Sequence, residues 1–194
     1  MKLTHIKISR NHRLRFACAF LRSPKSTGSL LPSSRYLVDR MLRQVQWRDA
    51  RIVVELGPGL GCFTREILRC MGHDSLLLAL ETNTNFVASI KGWIPDPRLH
   101  IVHASAAQIR AELTRLGLQS ADCIISGLPF LNMPALNRRL LLEQCHSTLR
   151  PGGKLVLFQY RRTMFPALRL RFDSIWREYE LLNFPPAHVF SCLK

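Results

Sequence analysis

From residue 51 onward, short apolar runs alternate with longer segments whose apolar positions recur every three or four residues. The runs at 51–56, 75–80, 99–103, 121–126 and 154–160 are apolar throughout, with Val, Ile and Leu dominant. Such runs predict strands buried on both faces. Between them, 62–71, 83–92, 106–116 and 134–149 carry the helical period, and Pro151-Gly152-Gly153 is expected to stop the last of these helices. The tail, 174–194, reads as two further strands broken by Pro185-Pro186. The expected fold class is α/β: a seven-stranded, mostly parallel sheet with helices on both faces. No internal repeat is present.

The first fifty residues follow another pattern. Residues 10–22 read as a helix, with Leu14, Ala17, Cys18 and Leu21 on one face and Phe16 and Phe20 broadening it. Arg10, Arg13, Arg15 and Arg22 flank that face. Aromatics on one side and arginines beside them suit a helix lying in a membrane interface. Residues 23–34 are rich in Ser, Pro and Gly and predict a loop, after which Ser33 or Ser34 caps a helix reaching about Val45. Two parts are therefore expected: a basic amphipathic docking and lid segment over 1–48, and one domain over 49–194.

Charge sharpens this division. The chain of 194 residues has a net charge of +15, and residues 1–51 hold twelve Lys or Arg against Asp39 and Asp49. A basic arm of this kind seeks a polyanion, either an anionic membrane surface or nucleic acid. At 47% hydrophobic and 21% charged residues, the chain is expected to fold around a full core. The six cysteines form no CxxC pair and predict free thiols in a reducing compartment, without a metal site. No apolar run reaches the length of a bilayer span. The expected location is cytoplasmic, peripheral to the inner face of the cytoplasmic membrane.

The chemistry begins at "VVELGPGLGCF", residues 53–63, where a strand passes through three glycines into a helix. Gly57, Gly59 and Gly61 allow a sharp turn and a close approach to a ligand. Glu55, just before them, can face the amino group of an amino-acid-like cofactor. Glu81, 20 residues beyond Gly61, ends the second strand and suits an acid that bonds both ribose hydroxyls. No Gly-Lys-Ser/Thr follows the glycines, which excludes a Walker phosphate loop.

With these residues the sequence resembles the class I S-adenosylmethionine methyltransferases, whose fold is Rossmann-like. The resemblance implies a donor site formed by Glu55, Gly57, Pro58, Gly59 and Gly61, by Glu81 and Thr82, and by Ser126 and Gly127. Ser105 and Ala106 complete it. Ser105 stands where the family often places an Asp near the adenine amino group, so weaker adenine anchoring is expected.

A second motif, "SGLPF" at 126–130, follows the fourth strand. Methyltransferases acting on base amino groups read Asn-Pro-Pro-Tyr or Asn-Leu-Pro-Phe there. Gly127 replaces the Asn and removes the amide that grips a flat aromatic amine. A small residue leaves room for a tetrahedral alkyl nitrogen. Together with "PSSRYLVDRML" at 32–42, "LRPGGKLVLFQY" at 149–160 and "LNFPPAHVF" at 182–190, this resembles the bacterial phospholipid N-methyltransferases. Members convert phosphatidylethanolamine toward phosphatidylcholine, and relatives act on ornithine lipids.

The resemblance implies N-methylation of a headgroup amine by a monomer docked on an anionic membrane surface, with an amino-phospholipid as substrate. Ribosomal RNA adenine or small-molecule N-methylation is the alternative, so nucleic acid remains the second candidate partner. Arg35, Ser126, Gly127, Leu128, Pro129 and Phe130 are the expected substrate contacts. Tyr160 could orient the amine, His188 could take a proton or hold a phosphate, and Tyr36 with Arg35 could hold the lipid phosphate.

Overall fold

The computed structural model describes residues 33–194. The expected helix over 10–22 and almost all of the loop after it lie outside the described residues. Residues from Pro32 to Lys194 form one compact unit.

The elements run α1 (Arg35–Leu42), β1 (Ile52–Leu56), α2 (Cys62–Cys70), β2 (Leu76–Glu81), α3 (Thr84–Trp93), β3 (Leu99–His103) and α4 (Ile109–Arg115). They continue with β4 (Ala121–Ser126), α5 (Ala135–Thr148), β5 (Leu149–Gln159), α6 (Phe165–Arg169), β6 (Ser174–Glu180) and β7 (Ala187–Leu193). The seven strands form one sheet in the order β3-β2-β1-β4-β5-β7-β6. Strands β1 to β5 are parallel to their neighbours, while β7 runs antiparallel to β5 and to β6. The seven-stranded, mostly parallel α/β sheet expected from the apolar runs is therefore present.

Alternation along the strands sends side chains to two cores. Val54, Leu56, Ile124, Leu155, Leu157 and Phe190 pack with α4, α5 and α6 on one side. Val53, Ile125, Val156, Phe158 and Val189 pack with α1 and α2 on the other. Helix α1 belongs to this second core. Ser34 Oγ accepts a hydrogen bond from Leu37 N at its start, and the indole of Trp47 donates to Leu42 O at its end. Leu37 and Met41 are fully buried. Helix α1, grouped by the sequence reading with a docking and lid segment over 1–48, packs its buried face into this core. Burial of each large apolar side chain is worth about 1.5–3 kcal/mol, too much for a helix that lifts freely.

Two boundaries differ from expectation. Strand β5 starts at Leu149 and runs through Pro151-Gly152-Gly153. Gly152 N donates to Lys194 O and Lys194 N to Gly153 O, so the sheet keeps a stretch that local sequence marks as a break. The short α6 was not expected; five residues are too few to show a period.

Candidate active site

Strand order reverses between β1 and β4, and open parallel sheets bind ligands at the carboxyl ends of strands beside such a point. The glycine loop leaves β1 there. Gly57, Gly59 and Gly61 have φ of 72°, 52° and 74°, in the left-handed region that side chains disfavour. A Cβ on Gly59 would meet nothing within 4 Å, so the loop presents open space at its crest. Glu81 ends β2 beside it. One carboxylate oxygen accepts from Gly59 N at 3.0 Å and the other from Asn83 N at 2.9 Å. The acid is 8% exposed. A carboxylate fixed against an open glycine crest fits the ribose diol and backbone approach of S-adenosylmethionine. The other expected donor contacts lie nearby in the sheet. Thr82 is exposed and its carbonyl meets His103 Nε2 at 2.9 Å. Ser105 and Ala106 open the turn after β3, where Ser105 Oγ already accepts from Ala107 N.

Glu55 sits differently from expectation. It is 1% exposed, beneath the loop, and accepts from Thr64 Oγ1 at 2.7 Å. Its second oxygen has no partner among the described residues. Burial pushes its carboxyl up to about 8, and the Thr64 bond opposes this while nearby Glu81 adds to it. Burial thus favours the neutral carboxyl in the folded protein, and its unpaired oxygen lies beneath the glycine loop, where it fits the amino-acid end of the donor.

This carries a pH signature. With the folded value raised above the unfolded one, the folded state binds the extra proton between about 4.5 and 8, and stability falls as pH rises through that window. Glu55→Gln removes the titration. Relative to the parent, the variant should gain about 3 kcal/mol in urea unfolding between pH 5 and pH 8. A constant difference across that range would show that Glu55 does not titrate this way.

The loop after β4 touches the glycine loop directly. Gly127 N donates to Leu56 O at 3.0 Å, and a Cβ on Gly57 would lie 2.6 Å from Leu128 Cδ2. A Cβ on Gly127 would lie 3.2 Å from Gly57 O. The packing of the two loops thus favours glycine at 127. Ser126 is fully buried and its hydroxyl accepts from Leu128 N, so it shapes the turn. Phe130 is a correction to the expected substrate wall. Its ring is 0% exposed, because the short 3-10 turn at Phe130–Asn132 directs it into the core. Gly127, Leu128 and Pro129 keep partial exposure and remain the loop's accessible residues.

Gln159, which the sequence reading passed over, locks this loop. It is 4% exposed, donates to Leu128 O at 2.9 Å and accepts from Leu131 N at 3.4 Å. Its signal was a polar residue ending an otherwise apolar strand. His188 lies opposite it in the ladder. The imidazole lies against the Tyr179 ring at a tilt of 37°, with centroids 4.6 Å apart, and its buried Nδ1 has no partner among the described residues. Burial lowers its pKa first, and Arg177 and Arg162 lower it further, so the ring is neutral near pH 7. Tyr160 follows Gln159 but packs edge-on against Phe158 and the α1–α2 core. His188 packs with Phe190 on the opposite side. The structure links Glu81 to the glycine loop, the glycine loop to Leu128 and Leu128 to Gln159, sets His188 across the ladder from Gln159, and separates Tyr160 from His188. Arg35 and Tyr36 pair with each other at the start of α1, Arg35 Nη2 donating to the Tyr36 hydroxyl at 2.7 Å.

Comparison with known proteins agrees with this geometry. The chain is 27% identical over 179 residues to an ornithine lipid N-methyltransferase from Singulisphaera acidiphila, covering 91% of this chain and 93% of that one. A ribosomal RNA small subunit methyltransferase A from Dehalococcoides mccartyi is 24% identical over 143 residues, but only 45% of that protein is matched. In structure, the N-methyltransferase NodS from Bradyrhizobium japonicum superposes with a TM-score of 0.67 at 13% identity, covering 91% of this chain and 97% of that one, which shows the shared fold. The methyltransferase domain family matches residues 54–157, from the strand before the glycine crest to the strand that carries Gln159. With more than half its length matched, and with the crest and Glu81 placed to hold the donor, the chain belongs to the methyltransferase domain family.

Proposed function

We propose that the chain methylates the amine of a lipid headgroup, ornithine lipid or phosphatidylethanolamine, with S-adenosylmethionine as donor. The observation that carries this is the loop after β4. Recognition of a flat base needs an amide to grip its amino group and a ring to stack on its face. Gly127 supplies no amide, and a Cβ at that position would stand 3.2 Å from Gly57 O, a tight contact that disfavours a side chain. Phe130 supplies no stacking face, because its ring is fully buried. The full-length similarity to an ornithine lipid N-methyltransferase supports the same reading.

An alkyl amine has other needs: proton removal, desolvation and alignment with the methyl group. The bound donor supplies an electrophilic methyl on a sulfonium. The amine lone pair forms the new N–C bond, the methyl–sulfur bond breaks, and its electrons remain on sulfur. The amine proton needs an acceptor, and we assign this role to His188, whose neutral form is favoured by burial and by Arg177 and Arg162. Arg35 and Tyr36 at the start of α1 would meet the headgroup phosphate. The protein would act as a monomer, peripheral to the inner face of the cytoplasmic membrane. No helix among the described residues is long and apolar enough to cross a bilayer.

The test is methyl-labelled donor incubated with vesicles containing phosphatidylethanolamine or ornithine lipid. Label should enter the lipid fraction and depend on His188, with His188→Ala slowing transfer by about 10²–10⁴-fold. Label that enters ribosomal RNA, and no lipid, would refute the proposal.

A further inference from the structure

The turn between β6 and β7 reverses the usual distribution of polarity. Turns normally place polar side chains in water and apolar ones against the body. Here the polar residues are the buried ones. Glu180 is 4% exposed and Asn183 5% exposed. Glu180 accepts from Arg40 Nε at 2.6 Å and from Leu182 N at 2.8 Å. Asn183 accepts from Ser34 N at 2.9 Å and donates to Pro185 O at 2.7 Å. The apolar residues point outward: Leu181, Leu182 and Phe184 are 69%, 63% and 78% exposed. Inward bonds hold the turn in shape, so these three side chains are presented on a fixed frame.

The place and the charge of this tip favour one occupant. Strand β7 is antiparallel, and its first residues pair with the last of β5, Gln159 facing His188. The tip therefore stands at the carboxyl edge of the sheet, the edge that carries the glycine crest and the loop at Gly127. Cations surround it. Arg35 follows Ser34, which is bonded to the tip itself, and Arg162 lies close enough to His188 to lower its pKa. Arg35, Arg161 and Arg162 are all exposed. The nearby acids Glu178 and Glu180 are turned away into ion pairs with Arg40. An apolar tip ringed by arginines complements an anionic bilayer, with its acyl interior beneath a layer of phosphates.

We infer that the β6–β7 tip is a membrane-insertion element, with Leu181, Leu182 and Phe184 entering the acyl boundary of an anionic bilayer and Arg35, Arg161 and Arg162 meeting its phosphates. The inference rests on the lipid-amine reading for its choice of a bilayer. It places an anchor among the described residues and turns the donor edge of the sheet toward the headgroups.

The experiment compares the full chain with its Leu181→Ser, Leu182→Ser, Phe184→Ser triple variant. Partition is measured onto vesicles of equal phosphatidylglycerol and phosphatidylethanolamine, and onto phosphatidylcholine alone. The triple variant should bind the anionic vesicles at least about tenfold more weakly, with unchanged thermal unfolding. In an otherwise native chain, Phe184→Trp should gain fluorescence that brominated acyl chains quench, beyond the quenching of the parent's tryptophans. Three results would each overturn the inference: a parent that does not bind anionic vesicles, a triple variant that binds them as the parent does, or no added quenching in Phe184→Trp. A parent that dimerises while the triple variant is monomeric, with vesicle binding equal, would instead make the patch a contact between copies. These readouts need no methyl transfer. Tip-dependent binding by a protein that methylates no lipid sinks only the proposed activity. Lipid methylation with tip-independent binding sinks only this inference.

Discussion

Replacing Glu81 with alanine will weaken binding of S-adenosylmethionine by about 100-fold or more and lower thermal unfolding by about 6–12 °C, the effect of two backbone hydrogen bonds lost within the protein. The expectation rests on what the carboxylate does twice over. It fixes the crest of the glycine loop through Gly59 N and the start of α3 through Asn83 N. It also stands ready for two ribose hydroxyls. Hydrogen bonds to a charged group contribute about 1.5–3 kcal/mol each, so losing two costs about 3 kcal/mol or more, which is over two decades in affinity. Calorimetry checks this, and the choice of ligand locates the effect. Methylthioadenosine has the ribose but lacks the amino-acid end, so its affinity should fall by the same factor as that of the full donor. Affinity retained within threefold would remove Glu81 from the donor site. A loss confined to the full donor would move its role to the amino-acid end, where Glu55 has its unpaired oxygen.

Much of this site is legible in the residues because it depends on local order. Strand, glycines, helix and the next strand's terminal acid are contiguous, and short-range geometry brings Glu81 to Gly59. What the sequence could not show depends on the sheet's outer half. Tyr160 and His188 read as neighbours in function, yet alternation and the antiparallel insertion of β7 send them to opposite sides. Phe130 reads as a wall residue, but the turn after Pro129 folds its ring inward. Nothing in the sequence marks Asn183 as buried, with its amide bonded to Ser34 N and Pro185 O. In each case the deciding partner is distant in sequence, or a backbone turn has reversed a side chain. Neither leaves a periodic trace. Gln159 is intermediate: its polarity at the end of "LVLFQ" was visible, while its bonds to Leu128 and Leu131 were not.

The two loops of the site are held by a glycine on each, and this makes Gly57→Ala the second large effect. The residue has a φ of 72°, which costs an alanine about 1–2 kcal/mol. Its new Cβ would stand 2.6 Å from Leu128 Cδ2 and 3.3 Å from Leu128 Cγ, so the leucine must move, adding about 1–3 kcal/mol. The single variant should lose about 2–5 kcal/mol in urea unfolding and most of its methyl transfer. A double-mutant cycle separates the two causes. Adding Leu128→Ala removes the clash but leaves the backbone strain, so Gly57→Ala should cost only about 1–2 kcal/mol in that background. Equal costs in both backgrounds would mean that the loops do not press on each other. If the coupling is present, it explains why Gly127 must also be small, with Gly57 O 3.2 Å from where its Cβ would stand. A side chain there would press on Gly57 O in the loop proposed to hold the methyl donor. On the proposed lipid-amine reading, the close packing of these two loops disfavours an amide at 127 and with it the grip on a flat aromatic amine.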